Sequence, residues 1–406
     1  MNETAPEMRK DLDFVPIQYQ GRQMVLIRDH LGLVPDGRAI EFPLYEFMTL
    51  LDGKRDIRDL QMALMRSRGG MLVDTDEVKR LLAHLDESFL LDSETFRKAR
   101  DQMVKDFASR NVRPCSHCGR SYPGDRFELE KRLEEIVGSH EPVAPPDGKI
   151  VALVSPHIDL SVGLKAYSCS YQLLRYVSPS RVLLLGVGHQ MAGDLFSITD
   201  KDFETPLGVV GSDRECVKML CDAGSGIIAG DDFAHRSEHS IEFQILFLQH
   251  MLPASSFKIV PILSGFIKAC IPAYTREAYL KKAGPLLKVL NEIISQEQET
   301  TLIVAGVDFS HVGPKFGHDS PARYLSAQSE AHDKNLLDHL VGLDADRFWE
   351  ESIRVEDRFN VCGFSALACF LEILPQLRGK VLHYETWYEE PTKSAVSFAS
   401  AVFTRQ

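Results

Sequence analysis

Three apolar runs in this chain each end on a histidine, and that repetition narrows the fold more than any other feature. They are Val151-Ala152-Leu153-Val154-Ser155-Pro156-His157, Val182-Leu183-Leu184-Leu185-Gly186-Val187-Gly188-His189, and Leu302-Ile303-Val304-Ala305-Gly306-Val307-Asp308-Phe309-Ser310-His311. Short, unbroken apolar runs of this kind predict strands buried on both faces, as in a mostly parallel sheet covered by helices. Open α/β sheets take their ligands just beyond the carboxyl ends of the strands. Any one of these histidines alone reads as a loop residue with its own hydrogen-bond partner. Three in the same context point to a constellation on one edge of the sheet.

The chain from Ile150 onward supports that sheet. Strands are predicted at 150–154, 181–187, 195–199, 257–262, 301–307, 380–386 and 394–403, alternating with helices near 163–177, 212–223, 238–251, 275–296, 322–341, 345–351 and 363–374. Alternation of this kind packs helices on both faces of a central sheet. Residues 1–110 read differently. Phe14-Val15-Pro16-Ile17 and Met24-Val25-Leu26-Ile27 suggest short strands, and three amphipathic helices follow. The first carries Leu44, Phe47, Met48 and Leu51 and stops at Gly53; the second is capped by Asp56, and the third by Thr75 or Asp76. This is a small helix-rich, winged-helix-like domain, and its spacing resembles the PqqD-like peptide-binding family. With 17 Lys and Arg against 20 Asp and Glu in that segment, it is a poor match for DNA. Two domains are therefore expected, 1–110 and 111–406.

Charge and cysteine usage exclude further classes. The formal net charge is −12 with no basic run to offset it, which argues against nucleic-acid or anionic-membrane partners. The polar, acidic start does not read as a signal peptide, and no apolar stretch reaches the roughly 20 residues of a membrane helix. Eight scattered cysteines do not make a disulfide framework, so a reducing cytoplasm is the expected location.

His157 and His189 each follow a strand by a few small or rigid residues, and neutral imidazole is a favoured ligand for iron, copper and zinc. A third ligand is needed, and Asp308, His311, Glu238, His239 and Cys362 are all available. The segment from Asp232 to Glu242 is dense in polar chemistry and then turns apolar, marking a helix that opens near Ser237. Its N-terminus carries Glu238 and His239 toward solvent or a site. Asp308 and His311 form a carboxylate–imidazole pair suited to proton transfer or to fixing a ligand's tautomer. Cys362 precedes a small-residue helix, whose N-terminus is expected to lower the thiol pKa. Weaker signals are set aside. Gly186-Val187-Gly188 lacks the later glycine of a dinucleotide fingerprint, and Gly363-Phe364-Ser365-Ala366-Leu367 is no nucleophile elbow. Cys115-Ser116-His117-Cys118 reads as half a zinc site or a redox pair.

With those residues quoted, the region from about Cys115 onward resembles the MEMO family, of the AmmeMemoRadiSam system protein B type. The matching marks run in order: Ser116-His117-Cys118-Gly119-Arg120-Ser121-Tyr122-Pro123-Gly124-Asp125, Ser155-Pro156-His157, Gly186-Val187-Gly188-His189, Thr205-Pro206-Leu207-Gly208, Glu238-His239-Ser240-Ile241-Glu242, Asp308-Phe309-Ser310-His311 and Cys362-Gly363. The resemblance implies a three-layer αβα fold similar to class III extradiol dioxygenases. It implies a metal site held by His157, His189 and Cys362 and lined by His239, Asp308 and His311. Ile158-Asp159 stands where the family has Ala-Gly, which brings Asp159 into consideration at the site mouth. The dioxygenase relatives carry a glutamate where this chain has Cys362.

The leading expectation is thus a metal-binding protein, iron or copper rather than zinc, with redox or O₂-linked chemistry on a small-molecule or peptide substrate. His157, His189 and Cys362 would hold the metal, with His239, Asp308 and His311 as catalytic groups and Asp159 and Glu238 lining the site. The resemblance further implies a radical-SAM partner protein. The rival readings are a non-catalytic peptide-binding module on a dioxygenase-like fold and a zinc-dependent hydrolase.

Overall fold

The structure, a computed structural model, describes residues 4–191, 193–296 and 301–406. The chain divides into two compact units, Met1–Ser109 and Arg110–Gln406.

The first unit pairs Leu12–Tyr19 with Arg22–Asp29 as an antiparallel hairpin and adds Ala39–Glu41 at its edge. Four helices follow, Phe42–Met48, Ile57–Ser67, Thr75–Glu87 and Glu94–Ala108. Asp56 caps the second by accepting from the Asp59 N–H at 2.9 Å, as its position in the sequence predicts. The third is capped by Asp74 rather than by Thr75 or Asp76. Three neighbouring residues can all cap a helix, and the backbone turns helical at Thr75, so only Asp74 keeps the extended conformation a cap needs.

Among the described residues, the main sheet of the second unit has eight strands: β1 (Lys149–Ser155), β2 (Arg181–Val187), β3 (Phe196–Ile198), β4 (Lys258–Ser264), β5 (Thr301–Gly306), β6 (His311–Val312), β7 (Arg378–Glu389) and β8 (Ser394–Arg405). The order is β6-β8-β1-β5-β2-β4-β3, with β7 on the other edge of β8. Only β1, β5, β2 and β4 are mutually parallel; β3, β6, β7 and β8 join antiparallel. The sheet is mixed, with a parallel core. Apolar runs report burial and not direction, so the runs themselves do not show this. The short β7–β8 connection does, since a parallel pair needs a crossover of a dozen residues or more.

Alternate residues along the parallel strands sort into two separate cores. Leu183, Leu185, Ile262, Ile303 and Ala305 face one side; Val182, Leu184, Ile259, Leu302 and Val304 face the other. Helices Arg126–Val137 (α1), Leu164–Tyr171 (α2) and His239–Met251 (α4) cover the second face. Helices Arg214–Ala223 (α3), Arg276–Gln296 (α5), Ser326–Val341 (α6), Ala345–Arg354 (α7) and Phe364–Ile373 (α8) cover the first. Two-sided burial is why these strands read as continuous apolar runs instead of alternating ones. Among the described residues, no helix is long and apolar enough to cross a membrane.

Candidate metal centre

Three adjacent parallel strands deliver polar side chains at one register. His157 lies two residues beyond the end of β1, Asp308 two beyond β5 and His189 two beyond β2, with β5 in the middle. A helix N-terminus reaches the same edge from each face. From one side α4 brings Glu238 and His239; from the other α8 brings Cys362. Glycines make both approaches possible. A Cβ on Gly306 would lie 2.5 Å from the Ser240 carbonyl oxygen, and one on Gly363 would lie 2.6 Å from the Asp308 carbonyl oxygen. Gly363 N–H instead donates to that oxygen at 3.1 Å, which holds the start of α8 against the strand end.

The imidazoles are oriented by their outer nitrogens. Nδ1 of His157 donates to the Gly306 carbonyl at 3.0 Å, which leaves Nε2 with its lone pair directed inward. That Nε2 lies 3.4 Å from Cys362 Sγ and 3.6 Å from Asp308 Oδ2. Nδ1 of His189 lies 3.1 Å from both oxygens of Glu238, so its Nε2 is likewise the free end. The ligand atoms of His157, His189 and Cys362 all fall within 4.8 Å of one another, and those of His189, Glu238 and His239 form a second such group. The rings of His157, His189 and His239 stand 5.0–5.1 Å apart, centre to centre.

Burial dominates the electrostatics. It drives the imidazolium form of His157 down despite Asp308, drives His239 down further, and puts His311 at about 3. His189 experiences the same desolvation, but the Glu238 carboxylate outweighs it and the net shift is upward. Glu238 itself is desolvated, yet His189, His239 and the Ser240 amide hold it well below the usual carboxylate range. It accepts from the backbone N–H of His239 and of Ser240, each at 2.9 Å, and so caps α4 as well as orienting His189. Burial raises Asp308 and pushes the Cys362 thiol well above its ordinary value. This corrects the lowering expected from the helix N-terminus: loss of water outweighs the helix dipole in a fully buried position. Two imidazole lone pairs converging on a thiol, with a carboxylate beside them, make a donor set suited to a transition metal, and cation binding would displace the thiol proton. The residues fit such an ion.

The structure brings His157, His189, Glu238, His239, Asp308 and Cys362 together. Asp308 also accepts from the His157 backbone N–H at 3.0 Å, locking the two loops. His311 stands one step outside: its Nδ1 is 2.9 Å from the Phe309 carbonyl and its ring packs edge-on to Phe316. Asp159 is exposed, and its carboxylate accepts from the Ser161 N–H and hydroxyl at 2.7 and 2.6 Å, closing its own turn.

Sequence reasoning missed a support behind α4. Glu242, buried on that helix, accepts from the Arg113 guanidinium and the Tyr122 hydroxyl. It also accepts from the Ser116 N–H and hydroxyl and from the His117 N–H. Arg113 is fully buried and donates to the carbonyls of His235 and Glu238, both at 2.8 Å. A glutamate at the head of so apolar a helix was the available signal, since a buried carboxylate calls for a cation. Cys115 and Cys118 are joined as a disulfide. A second buried carboxylate, Asp333, accepts from the hydroxyls of Ser310, Ser397 and Tyr384 and secures the loop between Asp308 and His311.

Comparison with known proteins adds ancestry to this geometry. A family model described as Memo-like protein matches residues 113–402. A MEMO1 family protein of Aquifex aeolicus is 32% identical over 400 residues, covering 98% of this chain and all of that protein. One from Nitrosopumilus maritimus is 28% identical over 277 residues, 66% of this chain and 90% of its own length. A third, from Thermus thermophilus, is 26% identical over 350 residues, 86% of this chain and 99% of its own.

Proposed function

The chain belongs to the Memo-like family, and from that premise we propose that it holds one iron or copper ion between His157, His189 and Cys362 for redox or O₂-linked chemistry on a small-molecule or peptide substrate. The observation that carries the reading is the convergence of these three ligand atoms within 4.8 Å, with each imidazole's other nitrogen already engaged. A bound iron or copper ion would supply one-electron and O₂ chemistry that no side chain offers. The rest falls to the chain. Gly306 and Glu238 fix the two tautomers, and Asp308 ties the His157 backbone to the central strand. His239 and His311, both held neutral by burial, are suited to accept or relay a proton at the edge of the site. Asp308, its carboxyl raised by burial, can hold one beside His157 Nε2. On this reading the protein is an oxidoreductase with the layered architecture of class III extradiol dioxygenases, and a radical-SAM partner protein is part of the same proposal.

Metal analysis after anaerobic purification tests this. We expect close to one iron or copper per chain, falling sharply in His157→Ala and in Cys362→Ser while far-UV circular dichroism stays unchanged. Full occupancy by zinc would favour hydrolysis instead, and a chain that takes up no metal would overturn the proposal.

A further inference from the structure

We infer that Cys115 and Cys118 form a thiol–disulfide exchange site for an external dithiol, and that its redox state is transmitted to the end of α4 that carries Glu238 and His239. Both cysteines are partly exposed, so the sulfurs are within reach of a reagent; of the free cysteines Cys169, Cys216, Cys270, Cys362 and Cys369 are buried, and Cys221 is exposed but shares no disulfide. The two residues enclosed by the disulfide make most of this turn's contacts with α4. Ser116 donates its N–H and its hydroxyl to Glu242 at 3.1 and 2.9 Å, and His117 donates its N–H at 3.0 Å. Nε2 of His117 donates to the Ser237 carbonyl at 2.9 Å, and its ring lies 5.6 Å from that of His239. Glu242 follows Glu238 by one helical turn, so this turn and the metal-site residues grip the same first turn of α4. A closed Cys115–Cys118 ring restricts the backbone that aims these donors; opening it returns conformational freedom to the turn.

The exchange balances with the external dithiol alone. Its thiolate attacks one of the two sulfurs, the Cys115–Cys118 bond breaks, and a mixed disulfide forms while the other sulfur leaves as a thiolate and takes a proton from solvent. The reagent's second thiol then displaces the remaining protein sulfur. The chain gains two electrons and two protons, and the dithiol is oxidised to its own disulfide.

The test uses the full chain equilibrated in buffers spanning reduced to oxidised dithiothreitol. Thiols are trapped by alkylation and mapped by mass spectrometry, alongside hydrogen–deuterium exchange. We expect Cys115 and Cys118 to convert together in one two-thiol step. Amides in 113–122 and 237–246 should exchange roughly tenfold faster in the reduced chain. The double variant Cys115→Ser, Cys118→Ser should exchange at the faster rate in every buffer. Because the two buffers compare one unmutated chain, a misfolded variant would not blunt the result. Failure to form the disulfide under the most oxidising condition overturns the inference, as does conversion that leaves 237–246 unchanged. Neither readout requires a metal, so this inference and the metal proposal stand or fall separately.

Discussion

Glu238 serves two roles with different energetic signatures. As the cap of α4 it satisfies two backbone N–H groups, an effect of about 1 kcal/mol that glutamine partly preserves. As the acceptor of His189 Nδ1 it fixes a tautomer, and losing such a partner typically costs about 10–100-fold in metal affinity. Glu238→Gln should therefore weaken metal binding in a titration far more than it lowers the denaturation midpoint. His235 gives a separate, pH-dependent signature. Its ring is buried against the Ser197 carbonyl at 3.0 Å, and burial depresses its pKa from 6.5 to about 4. The fold favours the neutral ring, so its contribution is complete above pH 6.5 and is lost as pH falls toward 4. That difference is worth about 3 kcal/mol. Unfolding free energies measured from pH 7 to 4.5 should fall less steeply in His235→Gln than in the parent chain.

At the scale of elements, Gly363 is a close joint between the start of α8 and the loop that leaves β5. Gly363→Ala would drive a methyl into Asp308 and Val307, so the start of α8 should retreat and carry Cys362 with it. We expect metal content to fall to a small fraction of the parent while helicity by circular dichroism is retained. If the metal stays, the Gly363 contact does not position the thiol. The parallel strands and their histidines were legible in sequence because two-sided burial leaves an unbroken apolar run, and the run stops where the polar residue begins. The partner of Glu242 was not, since Arg113 lies on a distant segment and nothing local marks the pairing. Likewise β7 is half-buried and shifts register between Val381 and His383, which blurs its pattern; the sequence placed it at 380–386, and it runs Arg378–Glu389.

At the scale of the whole molecule, the relatives separate the two units. The protein from Nitrosopumilus maritimus is matched over 90% of its own length by 66% of this chain, so it has little room for an N-terminal unit, whereas the one from Aquifex aeolicus is matched throughout. The family model also begins at Arg113. A chain beginning at Arg110 should therefore fold alone, with a cooperative thermal transition and the parent's metal content; loss of either would show that residues 1–109 are needed for the larger unit to hold together. The location of the candidate ligands has a thermal consequence of its own. His157 and His189 leave the sheet, while Cys362 precedes a helix of one covering layer, so a cation seated among the three would act as a rivet between the sheet and that layer. Binding energy would then appear as resistance to heat, about 4 kcal/mol when free metal exceeds its dissociation constant a thousandfold. Stripping with a chelator should lower the melting temperature, and the parent metal should restore it.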